Sequence, residues 1–296
     1  MGNLAQNLIN ALTLGSAYAL VAVGFTLIFG VLRLVYLAHA AVLAACAYAG
    51  YAVLYATGSV WLALAGGVAA GGILGLLVEW VAIRPVRGQH HLIPMVTSAS
   101  FAVVVQELLR IFVEDGQSIA YPQAFTGTVI RFQLGNQMPY FTIGQLLILV
   151  VTAAMVIGLT WIVQRTWMGR AIRAVADSEQ AASLMGVRVN ATSARTLVLA
   201  SMLAGAAGVL LGLTIAAIDP HFSNPLEFKA IAIVLFAGMG SIPAAVVGAY
   251  LLGFVESFAM IFLDTSYRDL FAYLVMIVIL MVRPAGLMGR RVAQRV

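Results

Sequence analysis

Charged side chains are scarce in this sequence. Only 9% of its 296 residues are Asp, Glu, Lys or Arg, whereas 62% are hydrophobic. The mean hydropathy is +1.02. Soluble domains are about half apolar and about one quarter charged, so this composition excludes an ordinary soluble protein. It predicts an integral membrane protein, with the bilayer as its natural solvent.

Cysteine and lysine are almost missing. Cys46 is the single cysteine, which excludes an intrachain disulfide and a cysteine-based zinc site. The single lysine, Lys229, follows Phe228, whereas a Walker A loop needs Gly-Lys-Ser/Thr, so the chain is not a P-loop ATPase. His90 and His91 have no further ligands at useful spacing, and we predict no metal site. The sequence contains no recognisable catalytic constellation, so we do not expect an enzyme.

The placement of the arginines argues against two further classes. The first charged residue is Arg33, so the chain lacks the basic start of a cleaved signal peptide, and we expect its first apolar segment to stay in the mature protein. The net charge is +5, but the arginines lie between apolar runs and do not form one basic face. We therefore do not expect nucleic-acid binding.

Long apolar runs predict an all-α integral membrane protein, with one transmembrane domain over residues 1–296. A spanning helix needs about 20 mostly apolar residues. A further stretch, 228–239, would be roughly 18 Å long as a helix. It is too short to cross the membrane and predicts a re-entrant half-helix that turns at "GMGSIP". The eight predicted spans are 8–30, 36–56, 60–82, 92–112, 142–163, 194–217, 243–263 and 269–283.

Arginine and lysine also predict the orientation, because cytoplasmic loops carry more of them. With residues 164–193 inside the cell, twelve of the sixteen basic residues lie inside. This places the N-terminus outside and the C-terminus in the cytoplasm. The outer loop at about 113–141 is expected to be irregular. Residues 8–56 and 194–250 resemble each other slightly in pattern and would face opposite ways, as in an inverted repeat.

A short charged segment, "RTWMGRAIRAVADSEQAASLMG", interrupts the apolar runs at 165–186. Asp177 is a candidate N-cap with Gln180 three residues later, as in a capping box. Glu179 would lie in the first turn, where a negative charge suits the helix dipole. Gly186 is a natural terminator, which leaves a helix of about two turns over 178–185.

That predicted helix is too short to persist in water unless something packs on it. Ala181, Leu184 and Met185 would share one face by their spacing. A cytoplasmic partner protein bound to this face is one interpretation. The other is an ordinary solvated loop helix that rests on the lipid headgroups.

Several segments together resemble a known family. "EQAASLMG" is similar to the EAA motif of ABC importer permeases, a Glu-x-Ala-Ala run followed by Gly. The segments at 14–40, 165–187 and 229–253 resemble the branched-chain amino acid ABC permeases, in particular the shorter of their two membrane subunits. Three motifs depart from the usual family pattern, at Tyr36–Ala40, Ser98–Ser100 and Ala237–Gly238, and bear on the substrate.

The resemblance implies a transport subunit of a bacterial cytoplasmic (inner) membrane importer. Its implied partners are a second homologous permease, two ATPase subunits that bind ATP and Mg, and a periplasmic or extracellular substrate-binding protein. The cytoplasmic loop at about 164–193 would carry the coupling helix that docks on the ATPase. The residues implied in coupling are Asp177, Glu179, Ala181, Ala182, Leu184, Met185 and Gly186.

A broken helix in a membrane exposes backbone groups, which are tolerated only where they line a cavity or meet protein. Such groups can hold an amino acid's carboxylate or ammonium. We therefore predict a substrate path from the residues of the half-helix turn and of the fourth span, with a tight-packing turn as the alternative. The residues are Ser98, Ser100, Gly238, Gly240 and Ser241.

Ionisable residues within spans are candidates for function. Glu107 with Arg110, and Glu79 with Arg84 or Arg87, are expected to form structural pairs. Glu256 lies deeper and is expected to pair with another helix, although substrate binding or proton transfer is also open. Small residues at Gly67, Gly71 and Gly75, and at Ala204, Gly208 and Gly212, predict close helix packing within the subunit or between subunits.

Three functions compete. The first is an ABC importer permease for branched-chain or other small hydrophobic amino acids, with urea, short amides or aromatic acids as alternative cargo. The second is an ion-coupled secondary transporter that acts alone, for which Glu256 would be the essential carboxylate. The third, a membrane scaffold without transport, does not explain a helix broken in lipid.

Overall fold

The computed structural model is an all-α membrane protein with two small pairs of strands, and it describes residues 4–32, 36–90, 92–113, 117–122, 129–131, 140–215, 217–238, 240–262 and 267–282. The α-helices of this part are α1 Leu4–Leu32, α2 His39–Thr57, α3 Val60–Val78, α4 Leu92–Phe112, α5 Ile143–Arg165, α6 Trp167–Asp177, α7 Glu179–Leu184, α8 Val189–Ile215, α9 Asn224–Ala237, α10 Ile242–Phe262 and α11 Arg268–Val282. A π-helical turn, Glu79–Ile83, and a 3-10 turn, Arg84–Val86, continue α3.

Among the described residues, seven helices are long and apolar enough to cross a membrane, and they correspond to seven of the eight predicted spans. The eighth predicted span, 269–283, is α11, which has 15 residues in the described part. It is about 22 Å long. The predicted half-helix is confirmed as α9, with 14 residues, and it begins four residues earlier than expected because Pro225 fits the first turn of a helix.

Helices α1, α2 and α8 form the buried centre of the bundle, whereas α4 and α5 lie at its periphery. Small residues allow α3 to lie against α8. A Cβ atom added at Gly71 would meet the backbone oxygen of Ser201, and one added at Gly205 would meet the backbone oxygen of Gly67. The small-residue face of α3 therefore packs within the subunit, which is the first of the two predicted possibilities.

Helices α1 and α10 approach each other just as closely. A Cβ atom added at Gly253 would lie 2.6 Å from the backbone nitrogen of Gly15, and one added at Gly15 would lie 2.9 Å from the Cα atom of Tyr250. Ser16 and Tyr250 also share a hydrogen bond of 2.8 Å between their hydroxyl oxygens. The two glycines let polar and aromatic groups of α1 and α10 meet in the core.

The loop between α4 and α5, predicted to be irregular, contains extended segments. Strand β1, Ile119–Ala120, pairs antiparallel with β4, Ala217–Ile218. Strand β2, Val129–Arg131, pairs with β3, Tyr140–Thr142. The prediction is therefore wrong for these residues, because such short strands gain their partners only in the fold. The rest of the predicted loop, except 117–122 and Val113, lies outside the described residues.

A second correction concerns α6, because the sequence analysis treated residues 167–177 as loop. Ile172 and Val175 are buried on one face of this helix, and Arg170 and Arg173 lie on the exposed side. The guanidinium of Arg170 lies 3.6 Å from the ring centre of Trp167. Ile172 and Val175 are three residues apart, and arginines lie at the positions between and before them. This pattern is typical of an amphipathic helix, and the sequence analysis overlooked it.

Candidate functional site

Helix α6 connects α5 to α7 and fixes the position of α7. The Thr166 hydroxyl accepts a hydrogen bond of 3.1 Å from the Gly169 N–H and so caps the start of the helix. The guanidinium of Arg173 donates to the carbonyl oxygen of Val163 at the end of α5. Gly169 lies directly against the same carbonyl group. These contacts fix the turn between α5 and α6.

Helix α7 is confirmed, but its N-cap is Ser178 and not Asp177. The Ser178 hydroxyl accepts a hydrogen bond of 3.2 Å from the Ala181 N–H. An N-cap residue needs an extended backbone, and Ser178 has φ −156° and ψ 115°. Asp177 is instead the last helical residue of α6. The expected capping box with Gln180 is therefore wrong, because Asp177 belongs to α6, a helix that the sequence analysis did not predict.

The predicted terminator of α7 is confirmed. Gly186 has φ +82°, a backbone conformation that glycine adopts without strain. The Gly186 N–H donates to the Ser183 carbonyl, and the Val187 N–H donates to the Ala182 carbonyl, both at 3.0 Å. These two bonds form a Schellman motif, which satisfies the last carbonyl groups of the helix.

Helix α7 exposes large apolar side chains. Leu184 is 89% exposed and Met185 is 85% exposed, and Ala181 is also exposed. Ala182, by contrast, is buried. The predicted shared face of Ala181, Leu184 and Met185 therefore points away from the subunit and forms an apolar knob.

A cleft of about 300 Å³ lies beside this knob, between the C-terminal end of α1 and the link from α6 to α7. The charged residues Asp177 and Glu179 line it, and so do Ser178 and Gln180. Val31 of α1 is among its apolar residues. The two carboxylates that the sequence assigned to coupling thus lie beside the first membrane helix, which is a physical connection between α7 and the membrane bundle.

The predicted turn after the half-helix is present. Helix α9 ends at Gly238, which is buried and has φ +113°, and Gly240 has φ +83°. Ser241 is half-buried, and its carbonyl accepts a 3.0 Å hydrogen bond from the Ala245 N–H in α10. A Cβ atom added at Gly30 would lie 3.2 Å from the Gly240 Cα atom. The turn thus approaches the backbone of α1 near the C-terminal end of α1.

The two serines of α4 lie on different faces. Ser98 is buried, and its hydroxyl accepts a hydrogen bond of 3.2 Å from the Leu37 N–H and donates one of 2.9 Å to the Met95 carbonyl. Ser100 is exposed and donates to the carbonyl of Val96, 2.9 Å away. The interior of this subunit therefore contains Ser98 and not Ser100.

The start of α2 is contacted by groups of α9 and of its N-cap, which the sequence analysis did not foresee. The buried carboxyl group of Glu227 in α9 faces the backbone N–H groups of His39 and Ala40. The Ser223 hydroxyl donates a 2.8 Å bond to the Ala40 carbonyl. The first turn of α9 thus lies against the start of α2, and an acidic group is favourable near a helix N-terminus.

His39 itself packs among aromatic rings. Its ring centre lies 5.0 Å from that of Phe25 and 6.2 Å from that of Tyr36, both edge to face. Neither imidazole nitrogen has a hydrogen-bond partner among the described residues. His39 thus packs through its ring contacts with Phe25 and Tyr36.

The expectation that Glu256 pairs with another helix is confirmed. The Lys229 ammonium lies 2.8 Å from the Glu256 carboxylate and 2.7 Å from that of Asp269. Lys229 also donates to the Tyr18 hydroxyl at 3.1 Å, and this hydroxyl donates to Glu256 at 2.6 Å. Four helices, α1, α9, α10 and α11, therefore meet at one charged cluster.

A cavity of about 450 Å³ lies next to this cluster. Lys229, Asp269 and Tyr18 are part of its lining. Leu14, Ile148, Leu211, Phe222, Leu226 and Met260 provide much of its apolar wall. The sequence analysis missed this site, because its lining residues lie on separate helices and only their packing brings them together.

The remaining predicted ion pairs are structural. Arg87 lies 3.2 Å from Glu79 and also donates to the Asn190 side chain, whereas Arg84 takes no part in this ion pair. Arg110 lies 2.7 Å from Glu107, one helical turn away, and both side chains are about half exposed. Both expectations are confirmed.

Known proteins resemble the chain over nearly its full length. A profile of the family described as "Branched-chain amino acid transport system / permease component" matches residues 7–280. The high-affinity branched-chain amino acid transport system permease protein LivH of Escherichia coli strain K12 is 32% identical, over 98% of this chain and 97% of that protein. The corresponding protein BraD of Pseudomonas aeruginosa is 31% identical, over 98% and 97%.

The fold also has a solved counterpart. The structure titled "PsaBC from Streptococcus pneumoniae in complex with Fab" matches with a TM-score of 0.50 and 16% identity, over 94% of this chain and 91% of that one. At this identity the likeness concerns the fold alone. The profile match and the full-length relatives show that this chain belongs to the permease family of branched-chain amino acid transport systems.

Proposed function

We propose that the chain is the transmembrane permease subunit of an ATP-driven ABC importer for branched-chain or other small hydrophobic amino acids. Its relatives LivH and BraD are permease proteins of high-affinity branched-chain amino acid transport systems. The proposed partners are a second homologous permease, two ATPase subunits with ATP and Mg, and an external substrate-binding protein. The proposed location is a bacterial inner membrane, with the N-terminus outside and the C-terminus in the cytoplasm.

The observation that carries this proposal is the exposed knob of α7. Two large apolar side chains, Leu184 and Met185, are almost fully in solvent at the end of a two-turn helix. Such a helix does not persist in water by itself. Here it is capped at both ends and fixed to α6, so the knob is held ready for a partner. An ATPase groove that receives it would transmit movement to the bundle.

The route of this movement follows the contacts of the loop. Asp177 and Glu179 line the cleft against the inner end of α1. Helix α1 also approaches the turn at Gly240. We propose that a shift of α7 moves α1 against this turn and opens the substrate path past Ser98, Gly238, Gly240 and Ser241 in alternating access.

Ser100 requires a second subunit. Its side chain lies on the exposed face of α4 and not in the interior of this chain. It can border a substrate path only where another permease packs on that face. We therefore keep Ser100 in the proposed path as a residue of the interface between the two permeases.

The experiment places charge on the knob. The variant L184D/M185D is compared with A174D, which adds charge at an exposed position of α6. ATP-driven uptake of L-leucine is measured in vesicles that contain the whole transporter. We expect uptake to fall about tenfold or more in the knob variant, since a central apolar contact contributes about 2 kcal/mol. Uptake should be unchanged in A174D.

Other results would point to the competing functions. Uptake that survives L184D/M185D and needs an ion gradient in place of ATP would favour a secondary transporter. Uptake of urea, a short amide or an aromatic acid in preference to leucine would leave the importer in place and change its cargo. ATP-driven uptake that is equal in wild type and knob variant would contradict the coupling role of α7.

A further inference from the structure

We propose that the 450 Å³ cavity beside Lys229 is a binding site for the zwitterionic head group of an amino acid. The choice of amino acids as the ligand class rests on the proposed function. The site itself rests on the cavity and on the charged groups that line it. Ligand pockets of this size are typically apolar with a few charged or polar groups that orient the ligand.

The charged cluster contains one ammonium group and two carboxylates, which differ in their surroundings. The Glu256 side chain is fully buried, pairs with Lys229 and accepts a hydrogen bond from Tyr18. It is the permanent counter-ion, because a buried carboxylate without its ammonium partner is strongly unfavourable. The Asp269 side chain is 56% exposed and binds the same ammonium at 2.7 Å.

Asp269 is therefore the exchangeable partner. Water can solvate its carboxylate when it leaves Lys229, whereas Glu256 keeps the ammonium neutralised. The carboxylate of an amino acid can then take the place of Asp269 on Lys229. The ammonium of the same ligand pairs with the released Asp269 carboxylate, so one ion pair becomes two and the net charge of the site is unchanged.

The rest of the cavity matches an uncharged side chain. Leu14, Ile148 and Met260 are among the apolar residues of its wall. The polar groups Asn10 and Gln145 lie within the first two turns of α1 and α5, and the Gln145 amide donates to Asn10 at 3.3 Å. The apolar wall favours a branched or straight aliphatic side chain, since a second charge would find no partner there.

Lys229 also connects the cavity to the turn at Gly238. Lys229 lies in the second turn of α9, a helix of 14 residues, and Gly238 directly follows the last residue of this helix. A ligand that pairs with Lys229 would therefore exert force on α9, the short helix that leads to the turn. The proposed binding site thus lies near the N-terminal end of α9, and the turn follows its C-terminal end.

Protection of a single thiol tests the proposal on the full chain in lipid nanodiscs. The reporter is T214C, at an exposed position of the cavity lining, and Cys46 is fully buried, so the wild-type chain is the unlabelled control. The probes are millimolar L-leucine, leucinamide, which lacks the carboxylate, and 4-methylpentanoate, which lacks the ammonium. A maleimide labels the thiol, and the rate is measured with each probe.

We expect L-leucine to slow labelling severalfold, and each analogue to need a concentration about tenfold higher for the same effect, because each lacks one charged hydrogen bond. D269N should lose the protection by L-leucine, whereas E107Q, which removes an exposed carboxylate of α4, should keep it. Equal protection by all three probes, or none by saturating leucine, would overturn the proposal.

The result is independent of coupling to ATP. Protection that depends on Asp269 in a chain that fails ATP-driven uptake would retain this site and refute the proposed importer. ATP-driven uptake together with leucine-insensitive labelling would retain the importer and refute this site.

Discussion

The buried pair of Lys229 and Glu256 gives the sharpest quantitative prediction. Replacing Lys229 by Met leaves the fully buried Glu256 carboxylate with the Tyr18 hydroxyl but without its ammonium. Such a loss typically costs about 3–5 kcal/mol of folding free energy. E256Q leaves Lys229 with Asp269, which lies 2.7 Å from it, so we expect a smaller loss of about 1–3 kcal/mol.

The double variant K229M/E256Q removes both charges of the pair. Replacing a buried ion pair by uncharged groups of similar size is often nearly neutral. We therefore expect a total loss of about 2 kcal/mol or less, whereas the two single losses add to about 4–8 kcal/mol. The coupling energy between the two sites should be at least about 2 kcal/mol.

The assay is reversible unfolding in mixed detergent micelles, followed by helical circular dichroism, on all four members of the cycle. The matched control is the exposed pair of Glu107 and Arg110, whose side chains are 46% and 52% exposed. Its coupling energy should be below about 1 kcal/mol. Additive losses at Lys229 and Glu256, or equal coupling in both pairs, would refute the reasoning.

Three further substitutions test the packing and the caps. G71L should prevent recovery of folded protein in size-exclusion chromatography, because its Cβ atom would meet the Ser201 backbone. G72L should be tolerated, because its Cβ atom would meet side chains at ordinary contact distance, the nearest being Met202 at 3.6 Å. G186V should lower the free energy of unfolding by about 1–2 kcal/mol, because Gly186 has φ +82°, and should speed amide exchange of Val187. Both effects should be smaller in G186N. E227L should speed amide exchange of His39 and Ala40, whose N–H groups face the Glu227 carboxyl group, and E227Q, which keeps an acceptor, should do so less; equal rates would contradict a hydrogen-bonding role of Glu227 at this helix start.

Much of the fold could be predicted because the bilayer imposes long apolar helices. Seven spans, the half-helix and the terminator Gly186 follow from run length and from glycine at a helix end. The N-cap was wrong by one residue, because the end of α6 and the start of α7 are adjacent, and Asp177 and Ser178 are both good capping residues.

The charged cluster could not be predicted in the same way. Lys229, Glu256 and Asp269 lie on three separate helices, and run length does not give the direction in which each helix turns its side chains. The approach of the Glu227 carboxyl group to the start of α2 depends on the same helix rotation. The hydrophobic pattern of a sequence can assign a residue to a helix, but the packing of the helices determines which side chains that residue contacts.

A photo-crosslinking amino acid at Met185 tests the coupling role of α7 most directly. It is placed in the full transporter in its native membrane, with the same group at Trp167, an exposed residue of α6, as the control. We predict that the Met185 probe forms an adduct with the ATPase subunit, identified by mass spectrometry, and that nucleotide changes its yield. No ATPase adduct at Met185, in membranes that still take up leucine with ATP, would contradict the proposed coupling.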